Sequence, residues 1–152
     1  MTERDQAAQR ARILSAAKPG STRMEVDDVG RSRLLRGKSS ATIRAKVGAL
    51  PIKSGALHHV IAVGAFEAPG DDRQGAFREV QRVLRDEGNF VYGKADTDGT
   101  FARDHLALRE MGMVPAPMDT IPELSHVPWR LLAAFKPLTK SQASAERGHE
   151  TH

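Results

Sequence analysis

An α/β fold, with a mostly parallel sheet covered by helices on both faces, is what this sequence predicts, and three features carry the prediction. Apolar segments switch repeatedly between strand and helix periodicity, the run Val60 to Val63 is continuously apolar, and one strongly amphipathic helix follows Asp71 and Asp72. A continuous apolar run suits a central parallel strand buried on both sides. A strand followed by a helix and another strand then returns parallel to the first.

The elements follow in order. Residues 4–17, with Ala7, Ala8, Ala11, Ile13 and Leu14, predict a short helix that Pro19-Gly20 ends by removing a donor and offering a flexible turn. "RMEVDDVG" predicts a strand around Met24 to Val26, and "RSRLLRGKSS" a helix that stops at Gly37. "ATIRAKVGAL" alternates through Ile43, Ala45 and Val47, the pattern of a half-buried strand. After the strand in "HHVIAVGAF", Asp71 and Asp72 stand where a carboxylate caps free helix N–H groups. Ala76, Phe77, Val80, Val83 and Leu84 then share a helical face, and Gly88 is placed to end that helix. "NFVYGKAD" predicts a further strand, "TFARDHLALREMG" a helix closed by Gly112, and "WRLLAAF" a last strand after a Pro-rich connection.

Composition narrows the class. A chain of 152 residues suits one domain, assigned to 1–138, while the polar, aperiodic segment 139–152 predicts a disordered tail. No apolar run approaches the roughly 20 residues that span a bilayer. The N-terminus has no apolar secretory core, so a cytoplasmic protein without a membrane partner is expected. The absence of cysteine excludes disulfides, thiolate-zinc sites and thiol nucleophiles. The basic excess is N-terminal, with 11 Lys/Arg against 5 Asp/Glu in residues 1–46 and 12 against 14 beyond. Nucleic acid is not the expected partner, because no aromatic series interleaves with those basic residues.

The segment "ALPIKSGALHHVIAVGAFEAPGDDRQGAFREVQRVLRDEGNFVYG" resembles the class I S-adenosylmethionine-dependent methyltransferases. In that family an "ALPF" turn leads into the fourth strand, then a helix ending "E-x-x-R-V-L-R-P-G-G", then the fifth strand. "LALREMGM" and "VPWRLLAAFKP" are similar to its next helix end and its closing hairpin strand, so the likeness covers roughly residues 18–138. It implies a Rossmann-like methyltransferase fold, three-layered, with a mostly parallel sheet and a C-terminal antiparallel hairpin. The implied cofactor is S-adenosylmethionine, and the implied partner a small-molecule methyl acceptor.

Upstream, "AAKPGSTRMEVDDVGRSRLL" is similar to the stretch in which a Pro-Gly turn opens the first strand, "V-L-E-V-G-x-G-T-G-R". Glu25 and Val26 match that strand, whereas Asp27 and Asp28 stand at the glycine-rich turn and Gly30 alone survives nearby. An alternative register makes "MEVDD" the second strand, with Asp27 or Asp28 gripping the ribose. Either register leaves the chain one strand-helix unit short. Lys46 stands where an acid would face the adenine, and His58 where an Asp would precede the fourth strand. The resemblance places the cofactor against Glu25, Asp27, Asp28, Gly30, Val47, Leu50, Pro51, Gly64 and Ala65. Glu67, just past the fourth strand, is the candidate general base.

Substitution of the glycine turn by carboxylates predicts weak cofactor binding and slow or absent turnover. The alternative function is a non-catalytic binding or dimerisation module, and a homodimer is expected because a shortened sheet exposes an edge. Three rival motifs carry less. "RGKSS" lacks the first glycine of a phosphate loop, at Ser32. The adjacent His58 and His59 point to opposite faces of a strand and cannot share a metal. Asp96, Asp98 and Asp104 do not complete a calcium loop.

Overall fold

The computed structural model describes residues 2–15, 21–27, 31–36, 39–43, 50–66, 72–96, 99–121 and 129–137. The predicted tail, 139–152, lies outside them, as does Asp71. The chain runs α1 (Glu3–Ser15), β1 (Thr22–Val26), β2 (Ser32–Arg36), β3 (Ser39–Ile43), β4 (Leu57–Val63), α2 (Arg73–Val83), β5 (Leu84–Ala95), α3 (Thr100–Glu110), β6 (Val114–Ile121) and β7 (Trp129–Phe135). One seven-stranded sheet has the order β3-β2-β1-β4-β5-β7-β6.

Two apolar clusters, one on each face of this sheet, make three layers. On one side Ala7, Ala8 and Ala11 of α1 pack on Ile61, Val63, Val91, Leu131 and Ala133. Small alanines let the helix backbone lie close to the strands. On the other side Phe77, Val80 and Val83 of α2, with Phe101 and Leu108 of α3, bury Met24, Val60, Phe90, Tyr92 and Leu132. The alternation within β4 explains the split: Val60 and Ala62 face α2, while Ile61 and Val63 face α1. The apolar run read in the sequence is this doubly covered strand.

The strand directions correct one expectation. Only β1–β4 and β4–β5 pair in parallel; β1–β2, β2–β3, β5–β7 and β6–β7 are antiparallel, so the sheet is mixed. "RSRLL" is accordingly strand β2 and not a helix. Loop length decides this. The connections 27–31 and 37–38 are far shorter than the dozen or more residues a parallel crossover needs, so β1, β2 and β3 fold back as consecutive hairpins. These short connections leave no room for a crossover helix between β1 and β2 or between β2 and β3. Of the half-buried strand expected through Val47, β3 includes Ile43, and residues 44–49 lie outside the described residues.

Two further boundaries differ from expectation. Helix α2 begins where expected, with Asp72 Oδ1 accepting from Gly75 N at 2.9 Å, but it ends at Val83 and passes directly into β5. Gly88 is not its cap. It lies within β5, where a Cβ would stand 2.8 Å from Arg85 O and 3.0 Å from His58 O, so glycine there permits close backbone approach. The Pro-rich connection forms β6, which pairs with β7 at the sheet edge. Pro115 and Pro117 cannot donate to a ladder, a loss that an edge strand tolerates because one of its sides has no neighbour.

Candidate functional site

β1 and β4 lie side by side and parallel at the middle of the sheet, and the strand order reverses there: β1 leads outward to β2 and β3, and β4 to β5 on the other side. Ligands of open α/β sheets bind beyond the carboxyl ends of the strands at such a reversal. The structure brings Val26 and Asp27 from β1 to this point, together with Val63 to Phe66 from β4.

Gly64 leaves β4 with φ 68°, and Phe66 repeats the left-handed conformation at φ 64°. Glycine adopts it freely, whereas Phe66 carries strain of about 1–3 kcal/mol. Packing holds Phe66 in place: its ring is buried, meets Phe77 edge-on at 6.2 Å, and its carbonyl accepts from Arg73 Nη2 at 3.4 Å. Gly64 N donates to Gly93 O at 2.8 Å, and Ala65 is fully buried. Strained backbone therefore stands at the carboxyl end of β4, where sequence reasoning places Gly64 and Ala65.

Asp27 closes the turn to β2. Its Oδ1 accepts from Arg31 N at 2.9 Å, its own N–H donates to Arg31 O at 2.9 Å, and its Oδ2 lies 3.4 Å from Arg31 Nε. Part of its charge is thus met by Arg31, a partner that position in the sequence does not suggest. Glu25 points the other way, toward α1, with Oε1 2.8 Å from Arg12 Nη2. Of the remaining expected site residues, Asp28, Gly30, Val47 and Glu67 lie outside the described residues.

Arg4 of α1 crosses the crevice. Its Nε donates to Val63 O at 2.9 Å and its Nη2 to Val26 O at 3.4 Å, so one guanidinium takes the last carbonyls of both central strands. Its stem lies over Gly64, where a Cβ would sit 3.4 Å from Arg4 Cγ. The crevice thus offers a ligand two carbonyl acceptors, and a side chain of this chain already engages both. No sequence motif points to Arg4, because only the packing of α1 on β4 puts it there.

Leu50 is buried in the same apolar cluster as Val26, Ala65 and Phe66, and helix α2 holds its backbone. Leu50 N donates to Glu79 Oε2 at 3.4 Å, and Arg82 Nη2 donates to Leu50 O at 3.0 Å. Arg82 also bonds Ser54 Oγ at 3.1 Å and pairs with Glu79. The "E-x-x-R" of α2 therefore clamps the "ALP" turn, near the amino end of β4.

Beyond β5, Asp104 is buried and accepts from Tyr92 Oη at 2.7 Å and Arg73 Nη1 at 3.1 Å. Lys94, also buried, bonds Thr100. Asp96 Oδ2 accepts from Arg130 Nε at 2.7 Å. The acidic residues are thus tied to separate partners, and among the described residues no three His, Asp or Glu side chains form a group able to hold a metal ion. His58 and His59 diverge as expected: His58 Nδ1 accepts from Thr22 N at 3.2 Å, while His59 Nδ1 meets Asn89 Oδ1 at 2.7 Å. No described helix is long and apolar enough to cross a membrane.

The family described as "Methyltransferase domain" matches residues 17–92, half of the chain. Among solved structures, the YcgJ protein of Bacillus subtilis superposes with a TM-score of 0.52 at 12% identity, over 62% of this chain and 70% of that one. Phosphoethanolamine N-methyltransferase 2 of Haemonchus contortus, in complex with S-adenosyl-L-methionine, gives a TM-score of 0.51 at 9% identity, over 62% of this chain. The chain spans little more than a third, 36%, of that Haemonchus protein. No curated protein sequence matches.

Proposed function

The chain belongs to the methyltransferase domain family, whose cofactor is S-adenosylmethionine, and from that premise we propose that it binds this cofactor in the crevice beyond β1 and β4. Bound there, the cofactor would supply a sulfonium methyl to a small-molecule nucleophile. The observation that carries the reading is the junction of Val26, Asp27, Gly64 and Ala65 at the strand-order reversal, with left-handed backbone at Gly64 and Phe66. Catalysis in such a site comes mainly from proximity and orientation. Glu67, next in sequence after Phe66, is the proposed general base.

The fit is incomplete. A five-residue connection, 27–31, follows β1, less than two helical turns, so the crevice lacks a long helix N-terminus behind β1 to offer N–H donors to an anion. Arg4 engages the two carbonyls that a cationic group would use. We therefore read the site as a weak cofactor binder with slow or absent methyl transfer. Amide chemical shifts under S-adenosylmethionine titration test the location: Asp27, Gly64 and Gly93 move, and Gly55, on the loop ahead of β4, does not. Shifts confined to the Gly55 loop would defeat the reading.

A second reading, a dimerisation module, is favoured by the sheet edges. β6 carries Pro115 and Pro117, which blunt that edge, whereas β3, "SSATI", contains no proline and is the other edge. Two copies joining through β3 would cover it. Light scattering at tens of micromolar is expected to give twice the 16.6 kDa chain mass; a monomer in which β3 amides exchange slowly would remove the dimer.

A further inference from the structure

A cleft of about 650 Å³ opens at the opposite end of the sheet, ahead of β4 and β5, lined by His58, Arg82, Arg85, Asp86, Glu87 and Lys136 among others. Its volume falls within the range of small-molecule sites. It lies a full strand length from the crevice and shares none of the crevice residues.

The His58 ring is the decisive feature. Nδ1 faces Thr22 N at 3.2 Å and Nε2 faces Arg85 Nη1 at 3.0 Å. Both partners are N–H groups that can only donate, whereas a neutral imidazole has one accepting nitrogen and one N–H. The part-buried Thr22 amide needs an acceptor, so Nδ1 accepts and the ring proton sits on Nε2. Nε2–H and the guanidinium of Arg85 then converge, two donors with no acceptor between them. Protonating the ring would not relieve this, since burial, with the charges of Arg85, His59 and Arg36, holds the His58 pKa below its ordinary value of 6.5.

Two further cations stand beside this pair on the cleft walls. Lys136 Nζ donates to Gln81 O at 2.7 Å and Leu84 O at 2.8 Å, and Arg82 is held by Glu79, Ser54 and Leu50. Arg82 is thus matched by Glu79, Lys136 adds a positive charge held on carbonyl oxygens, and Arg85 is exposed at the cleft. Asp86 and Glu87 lie on the same walls, but among the described residues neither pairs with Arg85. We propose that this cleft binds a phosphate-class oxyanion, free or carried on a small metabolite, whose oxygens accept from His58 Nε2–H and Arg85 together.

The full-length chain can be titrated with inorganic phosphate and, separately, with glycerol 3-phosphate, at constant ionic strength against a chloride control. The readout is the His58 ring resonances. Saturable shifts with a dissociation constant of about 1 mM or tighter are expected, with the His58 pKa rising on binding because an anion favours the charged ring. Tighter binding of the ester identifies a carried phosphate, and equal or tighter binding of phosphate a free one. Arg85→Gln, at an exposed position, should weaken binding at least about tenfold without moving the thermal midpoint. The proposal is overturned if neither probe gives a saturable shift up to about 20 mM, far above that constant, or if Arg85→Gln binds as tightly as the unaltered chain.

Discussion

Replacing Phe77 with alanine is expected to cost about 3–5 kcal/mol of stability, the range for emptying a fully buried aromatic site. Phe77 is 1% exposed and sits at the centre of the α2 face of the core. Its ring meets Tyr92 at 5.3 Å, Phe90 at 5.9 Å and Phe66 at 6.2 Å, each near edge-to-face. Truncation removes these contacts and leaves a cavity that two rings anchored on β5 and one on the turn after β4 cannot close. A domain is typically stable by only about 5–15 kcal/mol, so the loss takes a large part of the total. At about 2–4 °C per kcal/mol for a chain of this length, the thermal midpoint should fall by about 6–20 °C. A loss below about 1 kcal/mol would show that the aromatic cluster is not the centre of the core. Phe66 depends on the same ring, so a surviving Phe77→Ala fold should also loosen the left-handed turn after β4.

S-adenosylmethionine should bind with a dissociation constant near 1 mM or weaker, about 4 kcal/mol, and Arg4→Ala should tighten it by about tenfold. The cofactor carries a sulfonium and an ammonium against one carboxylate, so its net charge is positive and the Arg4 guanidinium repels it. Arg4 also takes Val63 O and Val26 O, the acceptors a cation at the strand ends would use. Alanine frees both. Asp27 is bound to its turn by Arg31, so its replacement with glycine would remove a turn as well as a charge and tests the site less cleanly. Calorimetry on the unaltered chain and on Arg4→Ala distinguishes the cases. Binding by the unaltered chain tighter than about 10 μM, about 7 kcal/mol, would refute the weak-site reading. Weaker binding by Arg4→Ala would instead make Arg4 a cofactor ligand, holding the carboxylate.

Burial is legible in the sequence wherever a periodic apolar pattern is long enough. The run at Val60 to Val63, the helical face of Ala76, Phe77, Val80 and Val83, and the cap at Asp72 all match the structure, because each depends on neighbours within a few residues. β2 reads as a helix in sequence because "RSRLL" has no decisive period, and its identity depends on pairing with β1 and β3. β6 is hidden by prolines that only an edge position tolerates.

The site divides along the same line. The resemblance names Gly64 and Ala65, and the structure sets both just past the carboxyl end of β4. Arg4, Arg31, the Glu79–Arg82 clamp on Leu50 and the facing donors of His58 and Arg85 are not legible in sequence. By itself the sequence carried the resemblance to the methyltransferases in its motifs, and determined the layering and the central strands, which rest on local pattern and apolar burial. Tertiary structure decided the mixed strand directions and the chemistry at both ends of the sheet. Hydrogen bonds and charge contacts act over only a few ångströms, and these join residues as far apart in the chain as Arg4 and Val63. Such pairs leave no periodic trace in a sequence and exist only once the chain has packed.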